Sequence, residues 1–198
     1  MKSSATISRV LCATKAYFLL QSINQNNLGV TIHFEGQLKK DSDFDKVMNV
    51  AKIFAQENNM DFKFFEEDNK LLERVKDEKS YDYQGKVKGI KIQPDINTDP
   101  LWLEFDKDNY IQDFCKTQFA DLIIHIKIIE LLRKIIPFFT ELVVDDEGEF
   151  WETEDSEILQ KHFDTFKCVF EEQILKNKKM SGPFRLEDGR IVDLMEDH

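Results

Sequence analysis

The sequence predicts an α+β protein, a single domain spanning 1–198 in which helices pack on a largely antiparallel sheet. Three observations lead there. Apolar residues recur at three- and four-residue intervals in four segments, they alternate with polar residues in several others, and the strand-like runs between 87 and 115 follow one another with no helix between them. Strands joined without a crossover helix pair antiparallel. With 198 residues and 41% hydrophobic content the chain can bury one sizeable core or two small ones. Its 17 phenylalanines, against two tryptophans and four tyrosines, make that core phenylalanine-rich.

Ile7, Val10, Leu11, Tyr17, Phe18 and Ile23 fall near helical spacing, and Asn24, Asn26, Asn27 and Gly29 end that pattern, which predicts a first helix over 6–24. Val30, Ile32 and Phe34 then alternate with Thr31, His33 and Glu35, as a strand with one buried face requires. Asp41 or Ser42 can cap a helix carrying Phe44, Val47, Met48, Ala51, Phe54 and Ala55 on one side. A strand follows at Met60, Phe62 and Phe64. From Glu66 to Lys86 the chain is mostly charged and reads as a mobile connection. Strands are expected at 87–92, stopped by Pro94, and at 101–106 and 110–115, the last two joined by a turn of Asp106, Lys107, Asp108 and Asn109. The second half reads as a helix over 118–136, a strand pair over 140–152 turning at Asp146, Glu147 and Gly148, and a helix over 154–176. A C-terminal tail, 177–198, has a small hairpin around Asp188 and Gly189.

Charge is the most local property of the chain. It carries 38 acidic residues against 27 basic ones, and nine carboxylates, Glu141, Asp145, Asp146, Glu147, Glu149, Glu152, Glu154, Asp155 and Glu157, lie between Lys134 and Lys161 with no base among them. Nine of the eleven surplus negative charges therefore sit in one stretch, which can recruit a basic partner. The same balance disfavours nucleic acid, whose phosphates need a cationic face. No run of about 18 apolar residues is present to span a membrane. Cys12, Cys115 and Cys168 are odd in number and widely separated, so they read as buried thiols rather than a disulfide framework or a zinc knuckle. Arg9 and Lys15 interrupt the apolar stretch near the start, which argues against a secretion signal and for a cytoplasmic protein.

Several constellations could carry chemistry. Asp145, Glu147, Gly148 and Glu154 match four positions of a calcium-binding loop, but Val143 stands at its first position, where an oxygen donor is required. On helix 118–136, His125 falls in the middle of the apolar sector formed by Ile124, Ile128, Ile129, Leu132, Ile135 and Ile136, with Asp121 one turn earlier. That spacing suits either an Asp121–His125 dyad for proton transfer or a buried structural histidine. His162 lies on the apolar face of the last helix, so His125 and His162 could share a metal, although their spacing matches no ligand motif. Phe150 and Trp151, on a strand, would point to opposite faces, leaving one aromatic free to anchor an interface. No nucleophile elbow, phosphate loop, dinucleotide fingerprint or His-Glu-x-x-His is present.

The run Lys116 to Ala120, then His125 to Lys127, Glu130 to Arg133, and Asp146 to Thr153 resembles a pattern in a group of uncharacterised bacterial proteins, over roughly 29–165. The resemblance implies a bacterial origin and carries no activity with it. The resulting expectation is a non-enzymatic cytoplasmic binding protein, of the kind exemplified by immunity proteins, that needs no cofactor. It would engage a basic protein partner through an acidic hairpin comprising Asp145, Asp146, Glu147, Glu149, Trp151 and Glu152. The alternative is a small hydrolase using Asp121 and His125 with nearby carboxylates, metal-assisted or not.

Overall fold

The computed structural model describes residues 29–76 and 79–196. The helix expected over 6–24 lies outside the described residues. The expected α+β architecture is present, with helices on an antiparallel sheet. Six strands carry it: β1 (Thr31–Leu38), β2 (Asp61–Lys76), β3 (Lys79–Gln93), β4 (Leu101–Phe105), β5 (Tyr110–Lys116) and β6 (Phe139–Asp146). Their spatial order is β2-β3-β4-β5-β1-β6, and every neighbouring pair is antiparallel.

The first helix after β1, α1 (Asp43–Glu57), follows Ser42, whose side chain makes no capping bond. Instead the acidic first turn, Asp43 and Asp45, complements the helix dipole, and Asp43 pairs with Lys46 at 2.7 Å. The second, α2 (Leu122–Ile135), begins where the Asp121 carboxylate accepts from the Ile123 amide and ends just before Pro137, which has no N–H to continue it. Its many isoleucines are mediocre helix formers. Burial overrides that preference: Ile128, Ile129, Leu132 and Ile135 are wholly enclosed, each contributing on the order of 1.5–3 kcal/mol.

Both helices cover one face of the sheet. Val47, Ala51 and Phe54 of α1 join those isoleucines against Ile32, Phe34, Ile90, Ile92, Leu103, Phe105 and Ile111 in the main core. The short α3 (Phe150–Thr153) leads into α4 (Ser156–Lys176), and α4 closes a smaller core of Val30, Leu159, Phe163 and Phe166. There Phe119, Phe166 and Phe170 form a cluster with ring centroids 5.2–5.6 Å apart, the phenylalanine-rich packing expected from composition.

Two expectations are corrected. The stretch 66–86 is not an irregular connection: β2 and β3 stay paired from Asp61 opposite Gln93 to Lys76 opposite Lys79, with an irregularity between Glu67 and Lys70. Beyond that bulge the pair is a two-stranded ribbon to which, among the described residues, no further strand pairs, so it carries no apolar stripe and reads as charged linker. The bulge re-aims it. Its end folds back over the uncovered face of the sheet, where the Val75 amide donates to Gln112 Oε1 and Gln112 Nε2 donates to the Val75 carbonyl. The second correction concerns 140–152. Only β6 is a strand. The chain then turns, with Glu149 and Glu154 both in the left-handed region, around the single-turn α3.

The C-terminal tail forms the small hairpin expected at Asp188 and Gly189, with β8 (Phe184–Arg185) paired to β9 (Ile191–Val192), and Gly189 at φ 97° supplies the turn that a side chain would strain. A second short pair joins β7 (Met180–Ser181) to β10 (Met195–Glu196). This tail is tied down by charge. Arg190 donates to Asp113 at 2.5 Å and lies 4.2 Å over the Phe114 ring, the Ile191 amide donates to Asp99 at 2.6 Å, and Lys116 pairs with Asp193 at 2.9 Å. Of the cysteines, Cys115 is a buried thiol as expected, whereas Cys168 is half-buried and engaged rather than free.

The Asp113–Arg190 pair predicts a pH dependence. Burial pushes the Asp113 carboxyl up to about 6, and Arg190 only partly opposes this. A carboxyl raised on folding supports the folded state most when protonated, so its contribution is full below the unfolded value of about 3.9 and is lost as pH rises through 6. Urea unfolding of wild type and Asp113→Asn across pH 4 to 7 should show the wild type losing on the order of 2 kcal/mol more over that interval. Parallel pH profiles would refute this assignment.

Candidate functional site

Sequence reasoning singled out His125, and the structure gives it different partners. Asp121 does not orient it; its Oδ1 accepts from the Ile123 amide at 2.9 Å as the helix cap. His125 is wholly buried, with Nδ1 2.8 Å from Thr117 Oγ1 and Nε2 3.0 Å from Asp146 Oδ1. The Thr117 hydroxyl also donates to the Val30 carbonyl at 2.7 Å, so Thr117 links the imidazole to the chain entering β1. On the other side, Asp146 lies off the Nε2 bonding direction, which makes that contact close and polar without being an aligned hydrogen bond.

Asp146 is the hub of this region. It accepts from the Gly148 amide at 2.8 Å through Oδ1 and from the Trp151 amide at 2.9 Å through Oδ2, which fixes the turn from β6 into α3. Burial alone would raise its carboxyl, but the imidazole of His125 and these two amides outweigh that and hold it below the usual carboxylate range. Gly148 is required by space. A Cβ there would stand 2.5 Å from Leu159 and 3.2 Å from the His125 ring. Phe163 closes the remaining side, edge-on to the imidazole at 6.0 Å between centroids. A ring so enclosed has no route to a substrate, and His125 lines neither of the two cavities described here.

The proposed metal pairing fares no better. His162 turns to Glu149, 3.5 Å away, and among the described residues no cluster of three potential metal ligands forms. The acidic stretch is likewise divided. Asp146 is internal, and Glu147 accepts from the Thr31 amide at 2.9 Å with His33 at 3.9 Å. Asp155 caps α4, and Glu154 pairs with Arg133, which also donates to the Trp151 carbonyl at 2.7 Å and covers its ring. Trp151 is half-buried against the main core rather than displayed. Glu149 and Glu152 remain exposed on the helical side. Burial, with the charges of Asp146, Asp145 and Glu149 nearby, pushes the Glu152 carboxyl up. Asp145 projects from β6 beside His33 of β1, with Glu141 on the same face, which carries no helix among the described residues.

That uncovered face holds the larger cavity, about 940 Å³. Its floor comes from outward positions of β1, β4, β5 and β6, including Glu35, Trp102, Gln112, Phe114 and Val143, and the recurved ribbon supplies Lys70, Leu72, Arg74 and Val75 as a roof. Seven carboxylates line it against three cationic side chains: Glu35, Glu73, Glu104, Asp113, Asp145, Glu147 and Asp188 face Lys70, Arg74 and Arg190. Lys70 is held by Glu104 at 2.7 Å and sits 4.9 Å from the Trp102 ring, while Arg190 is held by Asp113. The exposed acids Glu73, Asp145 and Asp188 are thus left to set the sign. A second cavity of about 310 Å³, between Lys116, Glu147, Phe170 and Asp193, is smaller and more polar.

Arg74 is the residue that sequence reasoning missed. It is 2% exposed, its Nη1 donates to the Gln112 carbonyl at 2.6 Å, and its guanidinium lies 5.4 Å from the Tyr110 ring. No pattern could single it out, because its burial depends on the ribbon's recurving over β5. The geometry defines a class: an α+β body with one dry sheet face and one roofed, anionic, amphipathic face. No family model, curated protein or solved structure matches this chain.

The hub carries its own test. Asp146→Ala leaves the Gly148 and Trp151 amides without their acceptor, removes the carboxylate beside His125, and should cost about 3–5 kcal/mol in chemical unfolding. Because the Asp146 carboxyl is lowered on folding, its contribution is present above the unfolded value of about 3.9 and is lost as pH falls through the lower folded value. Acid unfolding of the variant should therefore be less steep below about pH 4. A cost near zero would show that the turn does not need this carboxylate.

Proposed function

We propose that this protein is a non-enzymatic binding protein that receives a basic segment of a protein partner in the roofed cavity of its open sheet face. The observation carrying this reading is the cavity's make-up: seven carboxylates against three cations, interspersed with Leu72, Val75, Trp102, Phe114 and Val143. An anionic wall steers a cationic segment, and apolar patches desolvate its aliphatic parts. The acidic residues of 145–152 contribute unequally in this reading. Asp145 and Glu147 line the cavity, while Glu149 and Glu152 extend the negative field around the end of the sheet.

An inhibitor of a basic toxin, acting in a bacterial cytoplasm, is the concrete form we favour, since such inhibitors profit from electrostatically steered association. The same charge repels nucleic acid. Among the described residues no helix is long and apolar enough to cross a membrane. The enclosure of His125 and the separation of Asp121 from it remove support from a dyad hydrolase.

The test uses a labelled peptide of alternating lysine and leucine, C-terminally amidated, with binding followed by anisotropy. Wild type should bind it more weakly as ionic strength rises from about 0.01 M to 0.15 M. The variant Glu73→Gln/Asp145→Asn removes two exposed charges, and at about 0.2–1 kcal/mol each it should lose roughly 2- to 30-fold in affinity. Binding indifferent to salt and to both substitutions would reject the cavity as the contact surface.

A further inference from the structure

Arg74, near the end of β2, is buried to 2% exposure, and its guanidinium is only partly satisfied. Nη1 donates to the Gln112 carbonyl, but among the described residues Nε and Nη2 have no hydrogen-bond partner. These two nitrogens share one edge of the planar group, and their hydrogens point the same way, which is the side-on fork that grips both oxygens of a carboxylate. A permanently charged group left half-unpaired in a protein interior is costly unless something completes it.

We propose that the Nε/Nη2 edge of Arg74 is a binding site for the chain-terminal carboxylate of the basic segment that occupies the cavity. The assignment rests on the reading of that cavity as a binding surface and adds the chemical group at its inner end. Charge selects the ligand. Glu35, Glu73 and Asp113 also line the cavity, so a free anion such as phosphate is repelled, and the carboxylate has to arrive tethered to groups that those acids attract. Space selects a chain end. Nε and Nη2 are themselves buried, with the Gln112 carbonyl on Nη1 and the Tyr110 ring 5.4 Å from the guanidinium, so a segment reaches the edge without continuing past. Entry displaces the Val75 end of β2, which two hydrogen bonds between Val75 and Gln112 hold in place together with the one from Arg74.

Three forms of the lysine–leucine peptide test this: free acid, amide, and amide with one internal glutamate. An anionic cavity by itself favours the amide, which carries one more net positive charge. The site predicts the reverse for wild type, with the free acid bound roughly 10- to 100-fold more tightly than the amide, as expected for charge-assisted hydrogen bonds. Arg74→Met should abolish the preference, and Arg74→Lys, which keeps the charge without the fork, should retain only a fraction of it. In NMR spectra the Arg74 Nε–H resonance should shift on saturation with the free acid alone. Circular dichroism establishes whether each variant folds. Should Arg74→Met not fold, the wild-type comparison and Arg74→Lys decide. Equal binding of acid and amide by wild type would overturn the carboxylate site and leave the cavity reading intact. Preference for the internal glutamate would overturn the chain end, and failure of all three peptides to bind would remove both proposals.

Discussion

A six-stranded antiparallel sheet that, among the described residues, carries helices on one face divides every strand into a dry side and a wet side, and the rest of the described structure follows from that division. Ile32, Phe34, Leu103 and Ile111 must face α1 and α2, so His33, Glu35, Glu104 and Gln112 face the other way. Among the described residues no helix covers that second face. It is instead overlaid by polar devices: the recurved ribbon, held through Gln112, and the C-terminal hairpin, held through Arg190 and Asp99. Each supplies its own charges, and a roofed anionic hollow results.

The dry side was legible because burial writes a period into the chain. The helical spacing from Phe44 to Ala55 gave α1 almost to the residue, the alternation from Val30 to Glu35 gave the first part of β1, and the α2 stripe placed His125 inside correctly. The wet side was not. A two-stranded ribbon has no buried face to impose a period, so 66–86 looked like linker although β2 and β3 pair on both sides of the irregularity between Glu67 and Lys70. The turn after β6 was misread for a related reason. Glu149 and Glu154 adopt left-handed conformations and Asp146 bonds forward to Gly148 and Trp151, preferences set by one buried carboxylate and invisible in a charge count.

Charge density in sequence also proved a poor guide to charge density in space. Of nine consecutive acids, one is an internal hub, one caps a helix, one bonds a strand amide and one pairs with Arg133. The hollow collects carboxylates from seven separate positions spread from Glu35 to Asp188. His125 shows the same limit. Its neighbour in sequence, Asp121, serves the helix end, and its true partner, Asp146, comes from a different element. What the sheet brings together matters more than what the chain keeps adjacent.

The position of β6 has one more implication. Among the described residues it is the last strand of the sheet on its side, with β1 its one neighbour, and a strand so placed can offer its outer backbone groups to a strand from another molecule. Exposed Glu141 and Asp145 flank the exposed Val143 there. Two copies approaching edge to edge bring these like charges together, which keeps β6 from templating aggregates at neutral pH and ties colloidal behaviour to the ionisation of two side chains.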